Sequence, residues 1–106
     1  MPIDHNRGVH NLRAAILMSL QRALLGEVAN NLRSVQVDWD DGKEKIDIFF
    51  YFDKEITDEN RLSASCVAAE FSGDFGENTQ ITEHCIRIDA SNKTPSHEAY
   101  AFLRQE

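Results

Sequence analysis

The sequence is poor in the residues that staple, break or thread a chain. Its 106 residues include two cysteines, two prolines, five glycines and one tryptophan. Two cysteines build no disulfide framework, and Cys66 and Cys85 both sit within apolar patterns, so they read as buried free thiols. No apolar run approaches the ~20 residues that cross a bilayer, and the N-terminus lacks a leader pattern. Both absences point to a cytoplasmic protein with no membrane partner. There is no C-x-x-C and no H-E-x-x-H. His5 and His10 fall in or beside an aperiodic segment, and the adjacent His84 and Cys85 point to opposite sides of a strand, so no metal site is expected. His84 reads as a core or half-buried histidine and His97 as a surface one. A G-x-S-x-G elbow is missing, and Cys66 lies inside a helix rather than at its start. Gly73-Asp74-Phe75-Gly76 is too sparse and too acidic to cradle phosphate. No cofactor is implied, and these absences argue against an enzyme.

What is present suits one domain spanning residues 1–106. A hydrophobic content of 42% and a charged content of 27% are those of an ordinary globular domain with its own core. The net charge is −7 and it is uneven. Residues 1–36 hold two acids and four bases, residues 37–60 nine acids and three lysines, and residues 61–106 seven acids and four bases. Such a surface repels phosphate backbones, which disfavours direct nucleic-acid binding. It attracts a basic protein and speeds the encounter.

Residues 1–10 have no periodicity and read as a loose tail. From Asn11, Leu12, Ile16, Leu20 and Leu24 recur every four residues with Leu17 beside them, which predicts an amphipathic helix ending near Leu25, with Gly26 as its stop. Residues 33–53 read as a β-hairpin turning at Asp41-Gly42. A two-residue turn there pairs Asp40 with Lys43, Asp38 with Lys45, Val37 with Ile46 and Val35 with Ile48. Val35, Val37, Ile46, Ile48, Phe50 and Phe52 then share one face, and Gln36, Asp38, Asp47, Phe49 and Tyr51 the other. Thr57, followed by acids, is a good N-cap for a helix over residues 58–72 that ends at Gly73. Its buried side is expected to hold Leu62, Cys66, Val67, Ala69 and Phe71. Residues 80–89 predict a strand whose more apolar even set, Thr82, His84, Ile86 and Ile88, faces the helices, and residues 97–104 a last strand. The order α-β-β-α-β-β implies an α+β, two-layer sandwich: a mainly antiparallel four-stranded sheet with both helices on one face.

Two features of the outer face bear on function. Asp38 and Asp47 fall near one another there, although Lys45 opposite Asp38 makes a simple cross-strand ion pair the plainer reading. Phe49 and Tyr51 are aromatics on a face without helices. Exposed, they mark a protein contact site; the alternative is that the C-terminal segment or a twin subunit covers them.

Several segments carry a family resemblance: Leu24-Leu25-Gly26-Glu27-Val28, Asn31-Leu32-Arg33, Phe49-Phe50-Tyr51-Phe52-Asp53, Cys85-Ile86-Arg87-Ile88-Asp89-Ala90, and Tyr100 to Arg104. Over roughly residues 11–106 the chain resembles small acidic immunity proteins of bacterial contact-dependent growth inhibition and related polymorphic toxin systems. The resemblance implies an antitoxin that neutralises a cognate C-terminal toxin domain, often a nuclease, by covering its active-site or substrate cleft. The expected acidic contact set is Asp38, Asp40, Asp41, Glu44, Asp47 and Asp53, extended by Glu55, Asp58 and Glu59, with Phe49 and Tyr51 as aromatic anchors. The rival readings are a small homodimerising module that uses its outer sheet face, and a small ligand-binding domain.

Overall fold

In the computed structural model, residues 5–40 and 44–106 are described, with side-chain surroundings from residue 12 onward. Helix α1 (His5–Ala23) buries Ile16, Leu20 and Ala23, with Leu24 just beyond its end and Leu12 and Leu17 at the edge of the core. This is the stripe predicted from the four-residue spacing. The helix begins at His5 rather than Asn11, so residues 5–10 are helical where a loose tail was expected. Residues 1–4 of that tail lie outside the described residues. Gly26, at φ +81°, turns the chain after the helix, a conformation that suits glycine.

Strands β1 (Leu32–Trp39) and β2 (Lys45–Phe52) form the antiparallel hairpin, but in a different register. Val37 pairs with Ile48, Val35 with Phe50 and Asp38 with Asp47, two residues away from the expected pairing. The cause lies at the turn. The Asp40 carboxylate Oδ1 accepts the backbone N–H groups of Glu44 at 2.9 Å and Lys45 at 3.3 Å. The Asp40 N–H donates to the Lys45 carbonyl at 3.2 Å, so the hairpin closes between Asp40 and Lys45 rather than between Asp40 and Lys43. The Asp41-Gly42 turn itself falls on residues 41–43, outside the described residues. A shift of two leaves every side chain on its predicted face, because sides alternate with period two. It also removes Lys45 from Asp38 and sets two carboxylates opposite each other.

Helix α2 (Asp58–Ser72) opens on a capping box, in which the Thr57 hydroxyl accepts the Asn60 N–H and the Asn60 side chain accepts the Thr57 N–H, both at 3.0 Å. Its buried side is Asn60, Ala64, Val67, Ala68 and Phe71. The expected side was rotated: Val67 and Phe71 are buried, but Leu62, Cys66 and Ala69 are exposed. Alanines 64 and 68 let the helix lie close, and Phe71 alone fills the space that a bulkier stripe was expected to fill.

The helix leads to β3 (Gln80–Arg87), which runs parallel to β2; β4 (Ala99–Leu103) returns antiparallel to β1, giving the order β3-β2-β1-β4. The sheet is therefore mixed, with one parallel pairing, and with its other two pairings antiparallel it is mainly antiparallel as expected. A parallel neighbour needs a crossover, and α2 is that crossover. The parity expected for β3 is corrected too. Ile81 and Cys85 pack on the core and Glu83 accepts the Ser65 hydroxyl of α2 at 3.0 Å, so the odd set faces the helices and His84 faces outward. The core lies between this inner face and the two helices, around Val35, Val37, Ile46, Ile48, Phe50, Ile16, Leu20 and Phe71.

Candidate functional site

The outer face of the sheet is organised by one buried polar residue. Gln36 has no exposed surface, and in mid-strand its side-chain amide must find partners. It donates to the Pro95 carbonyl at 2.9 Å and accepts the His97 N–H at 2.7 Å, binding the segment before β4 across the sheet. The Asp38 carboxylate extends this clasp. One oxygen accepts the Glu98 N–H at 2.8 Å and the other lies 2.7 Å from His97 Nδ1.

These contacts place the His97 ring flat on Phe49, with centroids 3.8 Å apart and planes within 9°. His84 stacks on the same phenyl ring at 4.7 Å and 12°. Its Nε2 lies 2.9 Å from Asp47 Oδ1. The Tyr51 hydroxyl meets His97 Nε2 at 2.6 Å. Burial, and after it the nearby Asp38 and Tyr100, push the Tyr51 phenol up, so it stays protonated beside Nε2. His97 Nδ1–H donates to Asp38. The result is a packed array of two imidazoles, two aromatic rings and two carboxylates.

Opposed like charges across a strand pair are unfavourable unless something holds them. Here each carboxylate has a histidine. Among the described residues, the arginine–carboxylate ion pairs involve Asp53, Asp74, Asp89 and Glu106, none of them Asp38 or Asp47. The side chains of Asp38 and Asp47 are 42% and 26% exposed, enough for both to be reached from outside.

The structure brings together Asp38, Asp47, Phe49 and Tyr51 and separates the rest of the predicted set. Asp40 and Glu44 stand exposed at the hairpin loop, and Asp41 lies outside the described residues. Glu55, Asp58 and Glu59 are exposed beyond the far end of β2, roughly 23 Å along an eight-residue strand. Asp53, also at that end, accepts the Ala90 N–H at 3.0 Å and faces Arg104 at 3.5 Å. Tyr51 is 2% exposed, so it is not the open aromatic that a helix-free face suggested. Phe49 is half-buried. The C-terminal segment covers them, one of the two alternatives the sequence left open.

Sequence reasoning missed His84, His97 and Gln36 as members of this face. The parity of β3 hid His84. His97, read as a surface residue, is half-buried, because its cover and its partners come from strands far away in the chain. Among the described residues no group of three or more metal-ligating side chains converges, and no helix is long and apolar enough to cross a membrane. The two thiols are free, with Cys66 exposed and Cys85 half-buried, which corrects the expectation that both are buried.

A two-layer α+β domain with a stiff acidic face, built of half-exposed carboxylates and stacked rings, defines a small protein equipped for recognition. The chain belongs to the MafI2 immunity protein family, whose model matches residues 13–106. No curated protein matches it in sequence.

Proposed function

We propose that this immunity protein binds a cognate toxin domain, a basic nuclease, and covers its active-site or substrate cleft with the acidic outer face of the sheet. The observation that carries this reading is the Asp38–Asp47 pair, two carboxylates set opposite each other on a half-open face with histidines as their only side-chain hydrogen-bond partners among the described residues. A nuclease holds phosphates with lysine and arginine, and such a pair presents negative oxygens at a comparable density. The carboxylates are held in place by His84, His97 and the Glu98 N–H, so little side-chain freedom is lost on binding.

The test is a calorimetric titration of the cognate toxin domain. Among the described residues the Asp47 side chain hydrogen-bonds only to His84, so Asp47→Lys changes the charge without undoing the clasp. It is expected to weaken binding about tenfold, equivalent to about 1.4 kcal/mol. Asp38 also holds the backbone at Glu98, so its partner variant is Asp38→Asn, which keeps an acceptor there. Unchanged affinity in both, with thermal melts like the wild type, refutes the sheet face as the contact.

A further inference from the structure

At the end of the sheet away from the hairpin loop, the turn after α1 and the first turns of α2 enclose an open cleft of about 150 Å3, lined by residues 26–29 with Glu59, Asn60 and Ser63. One water takes roughly 30 Å3 of liquid, so the cleft has room for several waters or the end of a long side chain. Its lining holds two carboxylates, Glu27 and Glu59, and no cation. Glu27 is fixed by the Ser63 hydroxyl, which donates to it, and Glu59 is exposed. The floor continues into a void of about 10 Å3 against Leu32, Phe50, Phe52 and Val67, so the cleft stands directly over the core.

The lining residue Val28 is 46% exposed, and Leu25 and Leu62, next in sequence to the lining residues Gly26 and Ser63, are 77% and 66% exposed. Leu62 stands one turn along α2 from Glu59. Concavity, negative charge and an apolar rim together suit a side chain with an aliphatic stem and a cationic head. An anion is disfavoured here, because Asp58 and Glu59 already occupy the positive end of α2.

We propose that this cleft is a second contact with the toxin and that it receives a lysine or arginine side chain whose stem lies against Val28 and Leu62. The proposal rests on the toxin-binding reading above and adds to it a grip on the opposite layer of the molecule. A partner seated on both regions wraps the end of the sheet where β1 begins and β2 ends.

The experiment compares three single variants of the full chain, Glu59→Lys, Val28→Asp and Asp47→Lys, in titrations with the cognate toxin domain, each checked by a thermal melt. Both cleft variants are expected to weaken binding about tenfold. If the wild type binds and Asp47→Lys weakens it while the cleft variants bind normally, the cleft is overturned and the sheet-face reading stands. If only the cleft variants weaken binding, the cleft is upheld and the sheet face is not the contact. A wild-type chain that does not bind the toxin domain overturns both. Should Glu59→Lys lower the melt, Leu62→Asp at its exposed helix position carries the same test.

Discussion

At the scale of single residues, Gln36 anchors the segment before β4 from the middle of β1. A strand that pairs on both sides has no spare backbone groups, so the crossing segment is held by a side-chain amide instead. Gln36→Ala leaves the Pro95 carbonyl and the His97 N–H without their partner. Pro95 is exposed and its carbonyl can turn to water, so the cost is that of the His97 N–H, about 1–3 kcal/mol, and urea unfolding is expected to show a loss in that range. The ring signals of Phe49 and His97 in NMR spectra should shift with it. The two cysteines give a second check at this scale. Cys66 is exposed, while burial pushes the Cys85 thiol up and lowers its thiolate fraction. Thiol-labelling kinetics on the native chain should show one fast and one slow cysteine, with Cys66→Ser abolishing the fast phase. The polarity of Gln36 and its place on the outer face were legible in the sequence. Its burial was not, because the cover arrives some sixty residues later in the chain.

At the scale of elements, legibility followed the strength of the local pattern. In α1 the four-residue spacing of bulky side chains left one solution, and the Thr57 cap and Gly26 turn were equally plain. In α2 the two candidate stripes differ by small residues: Ala64 and Ala68 form the buried one, and Leu62 and Cys66 lie outside it. Periodicity weighted by hydrophobicity chooses the bulkier stripe; the sheet beneath selects the smaller. A pair of substitutions measures the difference. Phe71→Ala should cost about 3–5 kcal/mol, because the ring is fully buried. Leu62→Ala should lie within about 0.5 kcal/mol of the wild type. Both are read from chemical denaturation. The hairpin register escaped for a different reason. The Asp-Gly signal names a turn, but the side chain of Asp40, one position earlier, captured two backbone N–H groups, and the hairpin closes at Lys45 rather than Lys43. The candidate site inherited that error, since the carboxylate expected beside Lys45 stands opposite Asp47 instead.

At the scale of the whole molecule, the far ends of the fold are tied by Arg33. Its side chain donates to the carbonyls of Ile88 and Asn92 at 2.9 Å and to both Glu106 oxygens at 2.7 Å. Hydrogen bonds from Arg33, and then from Arg104, hold the Glu106 carboxyl down to about 2 from its usual 4.5. Between these values the unfolded chain carries the additional proton, so this contribution is fully present above about pH 4.5 and is lost as the pH falls through about 2. Denaturant midpoints measured from about pH 5 downward should fall more steeply for the wild type than for Glu106→Gln. The net charge of −7 has its own signature at this scale. Toxin association rates should decline as salt rises, with dissociation changing less.

The strand order also governs how the polypeptide is finished during synthesis. Among the strands the hairpin emerges from the ribosome first yet ends up in the middle of the sheet, while its two flanking strands, β3 and β4, are translated later. Until residues 99–103 have left the exit tunnel, β1 has an open row of backbone donors and acceptors, a template to which neighbouring nascent chains can adhere.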